Sequence, residues 1–151
     1  MKSYRLGVGI MLIGHNSKVF VGKRADNSTD AWQMPQGGID EGEDYKDAAI
    51  RELKEEIGTD NVEIIAESEG WYSYDIPAEI ASRLWQGKYA GQKQKWFLMR
   101  FLGKDEEINI NTEHPEFVDW KWVEPSLLPD IIVDFKQDLY RKLVQEFSAY
   151  I

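Results

Sequence analysis

The sequence predicts a protein of the α/β (α+β) class, a mixed β-sheet with helices packed on it, and three observations lead there. Short apolar or alternating segments at residues 8–13, 19–21, 96–102 and 119–123 have the length and period of strands. Two longer stretches, 44–57 and 132–147, space their apolar residues by three and four, as amphipathic helices do. No repeat, low-complexity tract or linker divides the chain, so residues 1–151 are expected to form a single domain large enough to fold on its own core.

Residues 8–13 and 19–21 are separated by His15, Asn16 and Ser17, turn formers that suit a hairpin. Residues 23–30 are polar, and 32–38 contain Pro35, Gly37 and Gly38, so this part reads as loop with a brief strand. From Asp44 to Ile57 there is neither Gly nor Pro. Ala48, Ala49, Ile50, Leu53 and Ile57 recur at helical spacing, and Gly58 supplies the stop. Residues 62–66 and 70–74 read as strands. Pro77 then opens a short helix through Leu84, and 86–94 reads as a polar connection to the strand at 96–102. In 119–123, Trp120 and Trp122 share one face opposite Asp119 and Lys121, the pattern of a half-buried strand. Ile132, Phe135, Leu139, Leu143 and Phe147 define a closing amphipathic helix.

With 42% hydrophobic and 13% aromatic residues the chain is too rich in core formers to be disordered. Eighteen Lys and Arg against twenty-seven Asp and Glu give a net charge of −9, which opposes tracking along a nucleic-acid backbone and leaves only a local basic patch to hold phosphate. The absence of Cys excludes disulfides, a thiolate nucleophile and Cys-based metal sites, and suits a reducing cytosol, so a cytoplasmic location is expected. Lys2 and Arg5 ahead of the apolar residues 6–14 imitate a signal peptide. Gly7, Gly9, Gly14 and the polar residues 15–18 favour a buried strand and turn instead, and no membrane partner is expected.

The chemistry sits on the helix at 44–57. At about 100° per residue, Glu56 falls roughly 40° and Glu55 roughly 60° to either side of Glu52, so three carboxylates share one sector while Leu53 and Ile57 face the core. The like-charge pair Glu52 and Glu56 destabilises the helix by roughly 0.2–0.5 kcal/mol, and Glu55 and Glu56 lie in the last turn, where the helix dipole favours cations. A divalent cation would relieve both conflicts, since carboxylate oxygens are preferred ligands of Mg²⁺ and Mn²⁺. From the helix alone, a solvated acidic face accounts for the pattern equally well. Gly37 and Gly38 shift the balance, because a glycine backbone can approach an ion or phosphate closely.

Gly37, Glu43 and the run RELKEEIG at 51–58 fit G-x5-E-x7-R-E-U-x-E-E-x-G-U, where U is bulky and aliphatic; Thr59 occupies the last position as the one departure. On these residues the chain resembles the Nudix hydrolases. The segments WQMPQGG at 32–38, GQKQKWF at 91–97 and Pro115, Glu116 and Phe117 are similar to the branch that holds bacterial RNA pyrophosphohydrolases and dinucleoside polyphosphate hydrolases. The resemblance implies an α/β/α sandwich with a mixed β-sheet, and Mg²⁺- or Mn²⁺-dependent hydrolysis of a nucleoside diphosphate linked to another group.

It also implies roles. Glu52, Glu55 and Glu56 share metal binding and water activation, the Gly37 carbonyl is a further ligand, Glu43 is a supporting carboxylate, and Glu116 joins from a distant loop; which glutamate is the base stays open. Read alone, Glu116 is an ordinary surface residue. Arg51 can orient a ligand carboxylate with its planar fork or form a plain surface ion pair. Arg5, Lys23 and Arg24 match positions that hold 5′ phosphates, and Lys93 and Lys95, together on one strand face, are further candidates, with Lys136 behind them. Val133 and Phe135 match positions that sandwich a terminal base by stacking, although Phe135 fits the core stripe as well. Tyr74 and Trp71 read as core or pocket wall. His15 and His114 have no partner at metal spacing and are expected in solvent.

The expected function is removal of pyrophosphate or orthophosphate from the 5′-triphosphate or diphosphate end of RNA, leaving a 5′-monophosphate. An acidic protein that reads an end needs only a pocket. The alternative is a dinucleoside polyphosphate hydrolase acting on diadenosine tetra- or pentaphosphate. A non-catalytic nucleotide-binding Nudix module is the alternative of another class, and its mark, loss of motif carboxylates, is absent. Oligomeric state is left open.

Overall fold

The computed structural model describes residues 3–25 and 30–151. Lys2 and residues 26–29 of the polar stretch lie outside the described residues. The sheet is built on two central strands, β1 (Tyr4–Ile13) and β7 (Gly91–Phe101), which run parallel from Tyr4 opposite Gly91 to Ile13 opposite Arg100. Every other pairing is antiparallel. β2 (Val19–Arg24) and β4 (Gln36–Gly38) share the outer edge of β1, β5 (Val62–Glu67) and β6 (Tyr72–Asp75) share that of β7, and β3 (Trp32–Gln33) and β8 (Phe117–Val123) pair with β2.

Successive strand residues point to opposite faces, so β1 and β7 feed two cores. On one face Met11, Ile13, Trp96 and Leu98 meet Leu128 of α3 (Leu128–Ile131) and Leu139, Tyr140, Leu143 and Phe147 of α4 (Gln137–Phe147). On the other, Val8, Ile10, Leu12, Phe97 and Met99 meet Ala48, Ala49, Leu53 and Ile57 of α1 (Tyr45–Ile57). The result is the α/β/α layering expected. Trp120 and Trp122 also share a face, their rings packed around Phe20 at centroid distances of 5.6 and 6.0 Å. Among the described residues no helix is long and apolar enough to cross a membrane.

Three boundaries differ from the sequence expectation. β7 begins at Gly91, inside the stretch expected as a polar connection, because Gln92 and Gln94 are buried and paired: Gln92 Nε2 donates to Tyr74 Oη at 2.9 Å and Gln94 Oε1 accepts from Trp96 Nε1 at 3.0 Å. The closing helix begins at Gln137 rather than Ile132. Ile132 and Val133 are extended (ψ 161° and 151°) and a 3₁₀ turn, Asp134–Lys136, intervenes, so Val133 and Phe135 sit on a bend before the helix. After Pro77 only one α turn forms, α2 (Ala78–Ala81), followed by a tighter turn at Leu84–Gly87.

Candidate active site

Helix α1 is fixed at both ends by its own sequence. The Asp44 side chain accepts from Lys46 N–H at 3.0 Å, and Gly58 (φ 79°) closes the last turn by donating to the Lys54 carbonyl at 2.9 Å. Its apolar stripe sets the rotation about its axis, and that rotation carries Glu56 into the interior, 2% exposed. One Glu56 oxygen accepts from the Gln36 backbone N–H, while Oε2 has no partner. Burial, with Glu52 and Glu116 adding repulsion, pushes Glu56 well above the usual carboxylate range. Burial also raises Glu52, against the opposing pull of Arg51 and Arg5.

Arg51 binds the motif together. Its Nε and Nη2 form a two-pronged pair with Glu43 at 2.8 and 2.9 Å, Nη1 reaches Glu52 at 3.0 Å and Glu55 at 3.3 Å, and Nη2 also donates to the Gly38 carbonyl at 3.0 Å. This is the orienting arrangement rather than a lone surface pair. The Arg51 hydrogen bonds, with one from Asp40 N–H, hold Glu43 down at about 2, and Glu43 in turn raises Arg51. Gly37 is obligatory beside them, since a Cβ there would stand 2.0 Å from the Glu52 carboxyl carbon.

Opposite the carboxylates lies a basic, partly aromatic wall. Arg5 Nη2 crosses Gly38 so closely that a Cβ would stand 2.3 Å away, and the charge of Arg24 reaches Glu56 and Lys136. Lys136 is the member whose weight the sequence understated. It is 5% exposed, donates to Gln36 Oε1 at 3.2 Å and lies 5.3 Å from the Tyr74 ring centre. Burial, reinforced by Arg24 and opposed by Glu56, brings its ammonium down to about 7. Phe135 faces Tyr74 at a centroid distance of 6.1 Å, and Gln94 also donates to Gln36 Oε1 at 3.3 Å. Sequence reading passed over Gln36 and Gln94 and left Tyr74 undecided; the one available signal was their position in the two branch-like segments.

The other expected residues divide. Glu116 is exposed, yet its charge acts on Glu56, which places it at the site. Lys23 pairs with Asp30 at 3.6 Å on β2. Lys95 is not brought to the carboxylates: its ammonium lies by Glu67 at 3.6 Å, the Glu69 carbonyl at 3.4 Å and the ring of Tyr45, the first residue of α1. Lys93 is exposed on β7, two residues along the same face. Trp71 packs against Tyr45, not against the pocket. His114 is exposed, and exposed His15 keeps one ring nitrogen 2.8 Å from the Gly103 carbonyl.

Among the described residues no three carboxylates or imidazoles stand as a preformed ligand group, since the Arg51 guanidinium bonds to both Glu52 and Glu55. The donors nonetheless fit a hard divalent cation. Glu56 Oε2 is buried without a partner, Glu52 lies beside it, and the Gly37 backbone touches Glu52, an all-oxygen set lacking a countercharge.

Fold and site define a class: an α/β/α protein whose carboxylate-bearing helix faces a basic pocket across a glycine-bearing strand. The chain matches the NUDIX domain over residues 3–143 and belongs to the Nudix family, hydrolases of phosphoric anhydride bonds that generally use divalent metals. It is 52% identical over 147 residues to the RNA pyrophosphohydrolase of Pelagibacter ubique, covering 97% of this chain and 93% of that one. It is 53% identical over 148 residues to the RNA pyrophosphohydrolase of Rickettsia conorii, covering 98% and 92%. The E. coli dihydroneopterin triphosphate pyrophosphohydrolase shares the fold, with a TM-score of 0.70 at 20% identity over 96% of this chain and 99% of that one.

Proposed function

We propose that residues 1–151 act as one Nudix domain that hydrolyses the 5′-triphosphate or diphosphate end of RNA to a 5′-monophosphate. The observation that carries this reading is the meeting at Gln36, whose backbone N–H serves Glu56 while its side chain holds Lys136, so that carboxylates and phosphate-binding cations face one another. Relatives more than half identical over nearly the whole chain and named RNA pyrophosphohydrolase support it.

Glu52, Glu56 and the Gly37 carbonyl, with Glu55 and Glu116 in reach, would hold Mg²⁺ or Mn²⁺, which supplies an acidified water and neutralises phosphate oxygens. Glu52, Glu55 and Glu56 share ligation and water activation, and Arg51, anchored by Glu43, keeps Glu52 and Glu55 aimed. Arg5, Arg24 and Lys23 take the phosphates, with Lys136 at the buried end. Val133, Phe135 and Tyr74 offer stacking surface to the first base, a contact that every base can make.

The test is product analysis with equal concentrations of a short 5′-triphosphorylated RNA and diadenosine pentaphosphate, with Mg²⁺ and with chelator. Metal-dependent conversion of RNA to a monophosphorylated end at the higher kcat/KM is expected. Cleavage of the dinucleotide alone would replace this reading with the dinucleoside polyphosphate hydrolase.

A further inference from the structure

The segment joining β6 to β7 turns back at Leu84–Gly87, where Trp85 and Gln86 both have left-handed backbone, φ 49° and 58°. A Cβ disfavours that region, so two such residues in succession persist only where packing dictates them. The packing is found at Trp85. Its ring centre lies 5.3 Å from Arg5 Cζ, and it meets the Tyr89 ring edge-on at 5.7 Å. The segment is moored where Arg5 begins: Ala90 N–H donates to the Ser3 carbonyl at 2.7 Å, and Arg5 stands opposite Gln92 in the β1–β7 ladder. The same guanidinium touches the Gly38 backbone, and its charge acts on Glu52.

A long arginine side chain left to itself samples many rotamers, and a phosphate would have to order it on binding. An aromatic face over the guanidinium removes much of that freedom while leaving its edge N–H groups available to phosphate oxygens. We infer that Trp85 is a positioning residue that holds the Arg5 guanidinium over Gly38, so that the phosphate chain meets an ordered cation. The inference deepens the proposed function and rests on the reading of Arg5 as a phosphate-binding residue.

The experiment is steady-state hydrolysis of a short 5′-triphosphorylated RNA with Mg²⁺ by the full chain, as wild type, Arg5→Ala, Trp85→Leu, Trp85→Phe and the Arg5→Ala/Trp85→Leu double variant. Trp85→Leu is expected to raise KM about fivefold with kcat little changed, Trp85→Phe to stay close to wild type, and Trp85→Leu to add nothing once Arg5 is gone. A Trp85→Leu loss that persists undiminished in the Arg5→Ala background, or that Trp85→Phe fails to restore, overturns the inference. No effect of Trp85→Leu alongside a clear loss in Arg5→Ala also overturns it and leaves the phosphate reading of Arg5 standing. Unchanged hydrolysis by Arg5→Ala overturns that reading and the inference with it. Should Trp85→Leu not fold, the wild-type Arg5 Nε–H proton resonance decides: ring-shielded it supports the contact, at its ordinary position it refutes it.

Discussion

Helices α1 and α4 cover opposite faces of one sheet and differ in what they bury. α4 turns Leu139, Tyr140, Leu143 and Phe147 inward, and its buried hydroxyl accepts from the Met34 N–H at 2.8 Å. α1 turns Ala48, Ala49, Leu53 and Ile57 inward and adds Glu56, one of whose oxygens is left unpaired. A buried polar atom without a partner is destabilising, and a buried charge more so. An apolar residue at position 56 would pack better. The molecule thus separates two tasks: the α4 face supplies packing, and the α1 face accepts a local loss of stability in exchange for a site.

The largest effect that sharpens this contrast is expected from Glu56→Gln. Removing one ligating carboxylate should lower kcat roughly 10³-fold, equivalent to about 4 kcal/mol of transition-state stabilisation. The same substitution should raise stability in chelator at pH 7, because it removes a buried charge. The sign follows from linkage. A carboxyl group whose folded pKa lies above its unfolded value of 4.5 destabilises the fold at high pH, and that penalty disappears as pH falls to 4.5 and below. Urea unfolding of wild type and variant should therefore converge on acidification. A variant that keeps activity within tenfold would break the comparison by removing Glu56 from the chemistry.

On the other helix, Leu143→Ala should cost about 2–5 kcal/mol of stability, the range for emptying a fully buried leucine site. Per folded molecule, kcat should stay within about twofold, since additivity holds for distant sites without shared partners. Denaturation midpoints set beside kcat under native conditions measure both quantities. A tenfold loss of kcat in a folded Leu143→Ala protein would show that the two faces are coupled.

How much of this was legible in the sequence follows the range of the forces involved. Helix α1 was read nearly to the residue because its cap, stripe and stop are local, and its carboxylates came with it through the motif. The first half of β7 was missed because Gln92 and Gln94 are buried by partners distant in sequence, Tyr74 and Gln36, and polarity alone looked like solvent exposure. Ile132 and Phe135 fell at helical spacing by coincidence, and their extended or 3₁₀ backbone shows only in three dimensions. Alternation rightly put Lys93 and Lys95 on one face without revealing which; contacts with Tyr45 and Glu67 identify it as the α1 face, away from the pocket. Lys136 and Gln36 lie a hundred residues apart, so no local pattern announced their hydrogen bond.

The smallest expected effect lies within α1's own motif, where Glu43 behaves oppositely to Glu56. Arg51 and the Asp40 N–H favour the ionised form of Glu43 and hold it at about 2, below its usual 4.5. A carboxyl group depressed on folding contributes stability above its unfolded pKa, and that contribution is lost as pH falls from about 4.5 through 2. Glu43→Gln should therefore be less stable than wild type at pH 7, and the gap should narrow at pH 3 and close near pH 2. It should also shrink with added salt, because this pair stands near solvent and is screened, whereas the Leu143 deficit should not. Urea midpoints for both proteins at pH 7 and pH 3, at low and high salt, test the assignment. A gap that persists unchanged at pH 3 would mean that Glu43 supports α1 through shape rather than charge, and the opposed titration of the two carboxylates would no longer distinguish a residue that steadies the motif from one that strains it.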